Sequence, residues 1–340
     1  MSTEEHDDLG KLKVAVKLLE KSTKKEAVQG FLKGKQLTYS GTWDDILNKR
    51  IIPAFDANKI SLEEVYSLLA SVEEYGRQHI FLYQIPDKLL DQITNDKLRE
   101  RFEQSEFAEL IDSPKILDIP DEFTIVDVRL SSSSFVVKAV TKRTTYTSLG
   151  HRVEGDRLIK EYSIEHSRSL YILKVHGNGL CEVRITSSAT STDKYKDLIE
   201  VFLRKLMKVI PTHEISRYPI NLQTAKNKIW DDRMSLRSMI RFSDATLNNG
   251  FSYLRAATGS MDADLLTDRQ VVESVDSFSG DSVCCDSHNI FFKTITGQKY
   301  PTKELHVRMS GDLNEFVIPA TIERDDYMYI LNKILGFNDG

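Results

Sequence analysis

The sequence predicts an α+β fold, an N-terminal helical bundle followed by an antiparallel β-sheet domain with packed helices. Three observations predict it. Residues 8 to about 112 repeat apolar side chains at helical spacing and twice show a capping signature. From Pro114 and Pro120 onward, stretches such as "FTIVDVRL" and "SFVVKAVTKRTTYTSL" are rich in β-branched residues with polar residues interleaved. "LYILKVHGNGLCEVRITSS" places Gly177-Asn178-Gly179 between two strand patterns, and strands joined by so short a turn pair antiparallel.

The elements follow in order. A first helix carries Leu9, Leu12, Val16 and Leu19 on one face. Thr23 with Glu26, and Ser61 with Glu64, match the Thr/Ser-x-x-Glu box, in which hydroxyl and carboxylate satisfy each other's orphan amides. The helix after Ser61 buries Leu62, Val65, Leu69 and Val72 and runs towards "QHIFLYQI". Pro86 starts a further segment with Leu89, Leu90, Ile93 and Leu98. Residues 123 to 188 form a meander, in which "SLGHRVEGDR" reads as a turn. Residues 192 to 209 and 222 to 242 are expected as helices, "NIFFKTITG", "ELHVRMSG" and "NEFVIPATI" as strands, and "DDYMYILNKILGF" as the closing helix. The expected domains are 1–112 (helical and basic) and 120–340 (α+β), with a further division near 215 left open.

The 340 residues, 40% of them apolar, suffice for two domains with sizeable cores. Net charge −5 means that any nucleic-acid contact is local rather than global. Three cysteines, Cys181, Cys284 and Cys285, do not make a disulfide framework, which points to a reducing compartment. The polar start "MSTEEHDDLGK" is not a signal peptide, and no apolar run approaches a membrane span of roughly 18 residues. The expected location is the cytoplasm, or the nucleus in a eukaryote, with no membrane contact.

One corner departs from the overall charge. Residues 11 to 50 hold ten Lys or Arg against four acids, a local +6. Such asymmetry points to a polyanion partner bound through phosphate contacts that fix affinity without reading sequence. Within it, Thr23 and Glu26 start a helix, Phe31-Leu32 and Leu37 are apolar anchors, Ser40-Gly41 turns, and Ile46-Leu47 precede Lys49, Arg50 and Ile51. This layout resembles the SAP motif, a helix–extended–helix DNA-binding unit. The resemblance covers roughly 30 residues. Two features depart from the motif: the spacing from Thr23 to Ser40-Gly41 is one residue longer than usual, and Gly30 replaces a larger apolar residue. Membership implies duplex DNA held by amides near Thr42 and Trp43 at a helix start, with Lys33, Lys35, Lys49 and Arg50 adding charge. The alternative is an ordinary helical hairpin with solvated lysines.

A second resemblance concerns the layout of the whole chain. A helical bundle ending in "VYSLLASVEEYGRQHIFLYQI", then a meander, then an α+β part, resembles the centromere protein N family, which implies a non-enzymatic chromatin-binding adaptor.

Three other clusters carry candidate chemistry. Arg233, Arg237 and Arg241 in "KNKIWDDRMSLRSMIR" fall at i, i+4 and i+8, which on a helix is one phosphate-binding face. Cys284, Cys285, Asp286 and His288 could serve a thiol hydrolase, but adjacent cysteines point apart in a strand and no second Cys/His pair completes a zinc site. Asp127 and Lys138 on neighbouring strands could belong to a metal-dependent nuclease, and Asp244, Asp262, Asp264 and Asp268 could bind a metal but lack the EF-hand order. The favoured expectation is a non-enzymatic DNA-binding protein or adaptor, without cofactor, metal or catalytic residues, whose α+β domain serves a protein partner, homo-oligomerisation or sensing. The opposing readings are an adaptor or sensor subunit of a host-defence or chromatin complex that does not touch DNA, and an enzyme, either the hydrolase or the nuclease.

Overall fold

The computed structural model describes residues 3–339 apart from 24, 94, 188–191 and 279–282. Its first layer is helical: α1 (Thr3–Ser22), α2 (Lys25–Gly34), α3 (Trp43–Ile46), α4 (Ile52–Asp56) and α5 (Leu62–Glu73). Leu12, Val16, Leu19, Val28, Leu32, Ile46, Val65 and Leu69 interlock as its core. Ser61 caps α5 as expected, its hydroxyl accepting from Glu64 N at 3.2 Å while the Glu64 carboxylate accepts from Ser61 N at 3.0 Å. The Thr23 signature borders residue 24, which lies outside the described residues. Between α3 and α4 the helix widens into a π turn over Leu47–Ile51. Pro53, at the start of α4, has no N–H to donate back along the helix.

The helical reading of residues 8 to 112 is corrected at its centre. Gly76–Gln84 is a strand, β1, with "IFLY" buried on both faces. A strand covered on both sides shows an unbroken apolar run, which periodicity alone does not separate from a buried helix. After α6 (Asp87–Leu90) and α7 (Asn95–Glu103) comes the meander β2 (Thr124–Ser131), β3 (Ser134–Glu154), β4 (Arg157–His176) and β5 (Leu180–Thr186). The hairpin at Gly179 stands as expected, with φ +81 there. The expected turn at residues 148–157 does not: strand pairing continues from Ser148↔Tyr162 to Glu154↔Arg157, and only residues 155–156 turn.

Then follow α8 (Thr192–Leu206), α9 (Thr212–Ile215), α10 (Gln223–Asp231), β6 (Ile240–Asn248), β7 (Tyr253–Ala257), α11 (Arg269–Phe278), β8 (Cys284–Phe292), β9 (Leu305–Met309), β10 (Glu315–Thr321) and α12 (Arg324–Asn338). The helix expected over 222–242 therefore stops at Asp231; a 3-10 turn spans Ser235–Ser238 and a strand begins at Ile240.

The ten strands of the described residues join one antiparallel sheet, in the order β2-β3-β4-β5-β1-β10-β9-β8-β6-β7. β1 thus joins the meander to the C-terminal strands. Ile80 and Leu82 enter a core with Trp230, Phe316, Tyr327 and Ile330, beneath α10 and α12. Phe81 and Tyr83 enter the opposite core with Phe102, Tyr195, Phe202 and Leu173, beneath α7 and α8. Among the described residues no helix is long and apolar enough to cross a membrane.

Candidate anion-binding cleft

The helical layer meets the sheet through buried charge. α5 ends at Glu73 and is followed by its C-cap Glu74, 6% and 3% exposed. Glu73 pairs with Lys138 at 3.0 Å and with Arg168. Glu74 pairs with Arg129 at 2.6 Å and lies 3.5 Å from Lys138. Burial opposes both charges, but the facing cations win and hold both carboxyls below the usual range. Arg184 donates to the Glu74 carbonyl at 2.8 Å and lies against the Tyr75 and Tyr327 rings at 5.3 and 5.1 Å. Glu182 accepts from the Tyr327 hydroxyl and contacts His176; burial opposes its charge, but Arg184 and these partners bring its carboxyl down to about 2.

Beside this joint lies an open cleft. Arg77 follows Gly76 where the register between β1 and β10 slips, and it holds φ +50, a left-handed backbone uncommon outside glycine. Its carbonyl accepts from Ser187 N at 2.7 Å, and the Ser187 carbonyl accepts from Arg143 Nη1 at 2.7 Å. Arg143 Nη2 donates to the Thr186 carbonyl and to Ser169 Oγ, both at 2.7 Å. Neutral oxygens therefore hold this half-buried guanidinium, and burial pushes its pKa down. No carboxylate among the described residues pairs with Arg77 or Arg143. Both line a chamber of about 580 Å³ together with Lys21, His166, Ser167 and Ser187. Of its two carboxylates, Glu73 is occupied by Lys138 and Arg168, which leaves Glu165. The chamber shares Lys21, Arg77 and Thr321 with a wider opening of about 1270 Å³ that adds Lys303 and Arg324, but also Glu26, Glu323 and Asp325. The positive charge is concentrated in the first chamber.

The cations expected to bind phosphate are dispersed. Residues 25–56 hold α2, α3 and α4, and residues 37–40 between α2 and α3 have no regular secondary structure. At Thr42, however, the chain closes its own amides. The Asp45 carboxylate accepts from Thr42 N at 3.1 Å and the Thr42 hydroxyl accepts from Asp45 N at 3.2 Å, completing a capping box. Asp44 and Asp45 put negative charge where a phosphate was expected. Trp43 packs half-buried on the helical core. Lys35 pairs with Glu64, and Lys49 with Asp45 at 2.6 Å. Lys33 is exposed, and Arg50 donates to the Lys49 carbonyl at 3.3 Å. Lys11 pairs with Asp7 at 2.6 Å, and Lys17 and Lys21 with Asp118 at 3.1 and 2.8 Å. Among the described residues, five of these cations thus face carboxylates, Asp118 serving two of them.

Arg233, Arg237 and Arg241 do not share a helix face. Arg233 stacks on Trp230 at 4.8 Å and pairs with Asp276. Arg237 is exposed on the 3-10 turn. Arg241 points from β6 to Glu304 at 2.7 Å and lies over Phe291 at 3.9 Å, a structural cation.

Cys284 is exposed and Cys285 buried, and burial pushes the Cys285 thiol up to about 12. His288 is fully buried, with no hydrogen-bond partner on either ring nitrogen, and burial pushes it down to about 3. This pair supplies neither a thiolate nor a solvent-reaching base. Asp127 and Lys138 do face each other across β2 and β3. Lys138 is held by Glu73 and Glu74, and Asp127 lies 2.9 Å from Arg129. Among the described residues no group of three or more His, Cys, Asp or Glu could hold a metal ion.

No family model, curated protein or solved structure matches the chain. The cleft is therefore read from its own geometry. Sequence reasoning missed Arg77 because its segment reads as helix. It passed over Arg143 because the carbonyls that hold it come from Thr186 at the end of β5 and from Ser187 beyond it.

Asp127 supplies a stability test of the joint. Burial raises its carboxyl from 3.8 to about 6, against the pull of Arg129 and Lys138, and its Oδ1 has no partner. A raised folded-state pKa means that this stability is complete below 3.8 and lost as pH rises through about 6. Asp127→Asn is expected to be more stable than wild type by up to roughly 3 kcal/mol at pH 8, with the difference vanishing near pH 4. Thermal melts at the two pH values check this, and a variant equally destabilised at both refutes it.

Proposed function

We propose that this chain is a non-enzymatic nucleic-acid-binding protein, and that its junction cleft receives the phosphate backbone of a duplex. One observation carries the reading: two guanidiniums, Arg77 and Arg143, line one open chamber and have no carboxylate partner among the described residues. Arginine suits phosphate because its planar fork can offer two donors to two oxygens. The left-handed backbone at Arg77 adds support, since a sparsely populated conformation held by the surrounding fold is a reason to suspect function. In this reading the basic corner contributes Lys33 and Arg50 at the margin, and Thr42 is a helix cap.

The test is a mobility-shift titration of the full chain against duplex DNA at two salt concentrations. Arg77→Glu, on an exposed side chain, should weaken binding at least tenfold, and neutral Arg77→Gln should lower the salt slope by about one, since one phosphate is no longer neutralised. Lys49→Glu should change binding little, because Lys49 already faces Asp45. A wild type that does not shift DNA, or an Arg77→Glu protein that binds like wild type, ends this reading.

A further inference from the structure

The two longest strands outrun the sheet. β2 pairs with β3 only over Ser134–Val140, and β5 pairs with β4 only over Tyr171–Val175. Beyond these, among the described residues, β3 and β4 pair only with each other, from Thr141↔Ser169 to Glu154↔Arg157, a ribbon roughly 45 Å long. In an antiparallel pair, opposed residues share a face and successive pairs alternate. The register puts Tyr146, Ile164, Tyr162, Val153 and Leu158 on one face. They are 63%, 58%, 49%, 70% and 58% exposed. Leu149 sits in the bulge between Ser148 and Gly150 and is 68% exposed. Single exposed apolar residues are ordinary, but this many along one face, interrupted by the His151–Lys160 pair, mark an interaction surface. A two-stranded ribbon is also marginal in water until its apolar face packs on something.

The charges are sorted between the faces. The apolar face holds Lys160, His151 and His166 and no carboxylate. Glu154, Glu161 and Glu165 lie on the opposite face, where Arg152 pairs with Glu154 at 2.8 Å and with Glu161, and Asp156 is in the turn. We infer that this face docks an amphipathic helix of a partner protein whose apolar stripe is flanked by carboxylates. A second copy fits less well, since face-to-face ribbons bring Lys160 and the histidines together with no acid between them. A nucleic-acid groove would press the acidic face and turn against phosphates. A lipid surface would have to accept Glu154, Asp156 and Arg157 at the tip. The face is small, so the contact belongs to the weak, transient class of interfaces. It adjoins the cleft at His166, but Lys160, Tyr162 and Ile164 do not line that chamber, so neither reading depends on the other.

The experiment uses the full chain and a labelled 18-residue helical peptide with a leucine stripe flanked by glutamates, read by fluorescence anisotropy against the same peptide with lysines in place of glutamates. The glutamate peptide should bind at least tenfold more tightly, Tyr162→Ser/Ile164→Ser should weaken that binding by at least tenfold, and Lys160→Glu should shift the preference towards the lysine peptide. The exposed positions should leave the melting temperature within a few degrees, which separates a docking defect from a folding defect. Binding neither peptide, binding both equally, or keeping affinity in Tyr162→Ser/Ile164→Ser overturns the inference. So does a wild type that dimerises, or that binds anionic vesicles, through the same side chains while ignoring the glutamate peptide.

Discussion

Lys138→Met is expected to destabilise the protein by roughly 3–5 kcal/mol, because it leaves two buried carboxylates facing one cation fewer. Lys138 is 6% exposed and lies between Glu73 at 3.0 Å and Glu74 at 3.5 Å. A methionine fills most of the volume, so the loss reports charge rather than a cavity. The double variant Glu73→Gln/Lys138→Met should recover a large part of it, since the remaining Glu74 keeps Arg129 at 2.6 Å. Chemical denaturation of wild type, single and double variants measures the coupling. Simple additivity of the two changes would mean that the joint is not a network. The same groups set an acid limit. Glu73, Glu74 and Glu182 titrate below their ordinary value of 4.5, so their contribution is complete above it and lost as pH falls, for Glu182 through about 2.

Gly76→Ala is expected to cost several kcal/mol and to disturb the cleft as well. Gly76 holds φ +87, and an added Cβ would lie 2.0 Å from the Ala320 carbonyl oxygen and 2.8 Å from Thr321 Cα, both backbone atoms. A clash of that kind with backbone is not relieved by a rotamer change, so β1 and β10 must separate at their end. Order-of-magnitude sources are the left-handed backbone, roughly 1–2 kcal/mol, and overpacking, roughly 1–3 kcal/mol. Gly155→Ala, also at positive φ but with nothing near the added carbon, should cost only the backbone part. Melting temperatures of the two variants test this, and the DNA affinity proposed for Arg77, if present, should fall in Gly76→Ala and persist in Gly155→Ala. Equal losses would show that the close approach of β10 is immaterial.

Much of the architecture was legible in local pattern. Ser61 and Glu64 marked a helix start because the cap is a contact between residues three apart. Gly179 marked a hairpin because a tight turn needs a positive φ there. The alternation in β2, β3 and β5 placed the meander, and residues 192–209 and "DDYMYILNKILGF" read as the helices α8 and α12. What failed was whatever depended on distant partners. "IFLY" reads as helix or strand until two cores are seen to cover it. Arg233, Arg237 and Arg241 read as one face only while residues 222–242 are one helix, and the strand at Ile240 ends that. Lys17 and Lys21 read as free charge until Asp118 is placed beside them.

The sequence by itself determined that helices precede an antiparallel sheet, because capping, turn chemistry and the period of apolar residues act within a few positions of the chain. Tertiary structure alone decided which charges are free. Pairing across a fold depends on which side chains arrive within about 4 Å of each other, and residues 73, 138 and 168 meet, and 77 and 143 come to line one chamber, only once β1 has been inserted between β5 and β10.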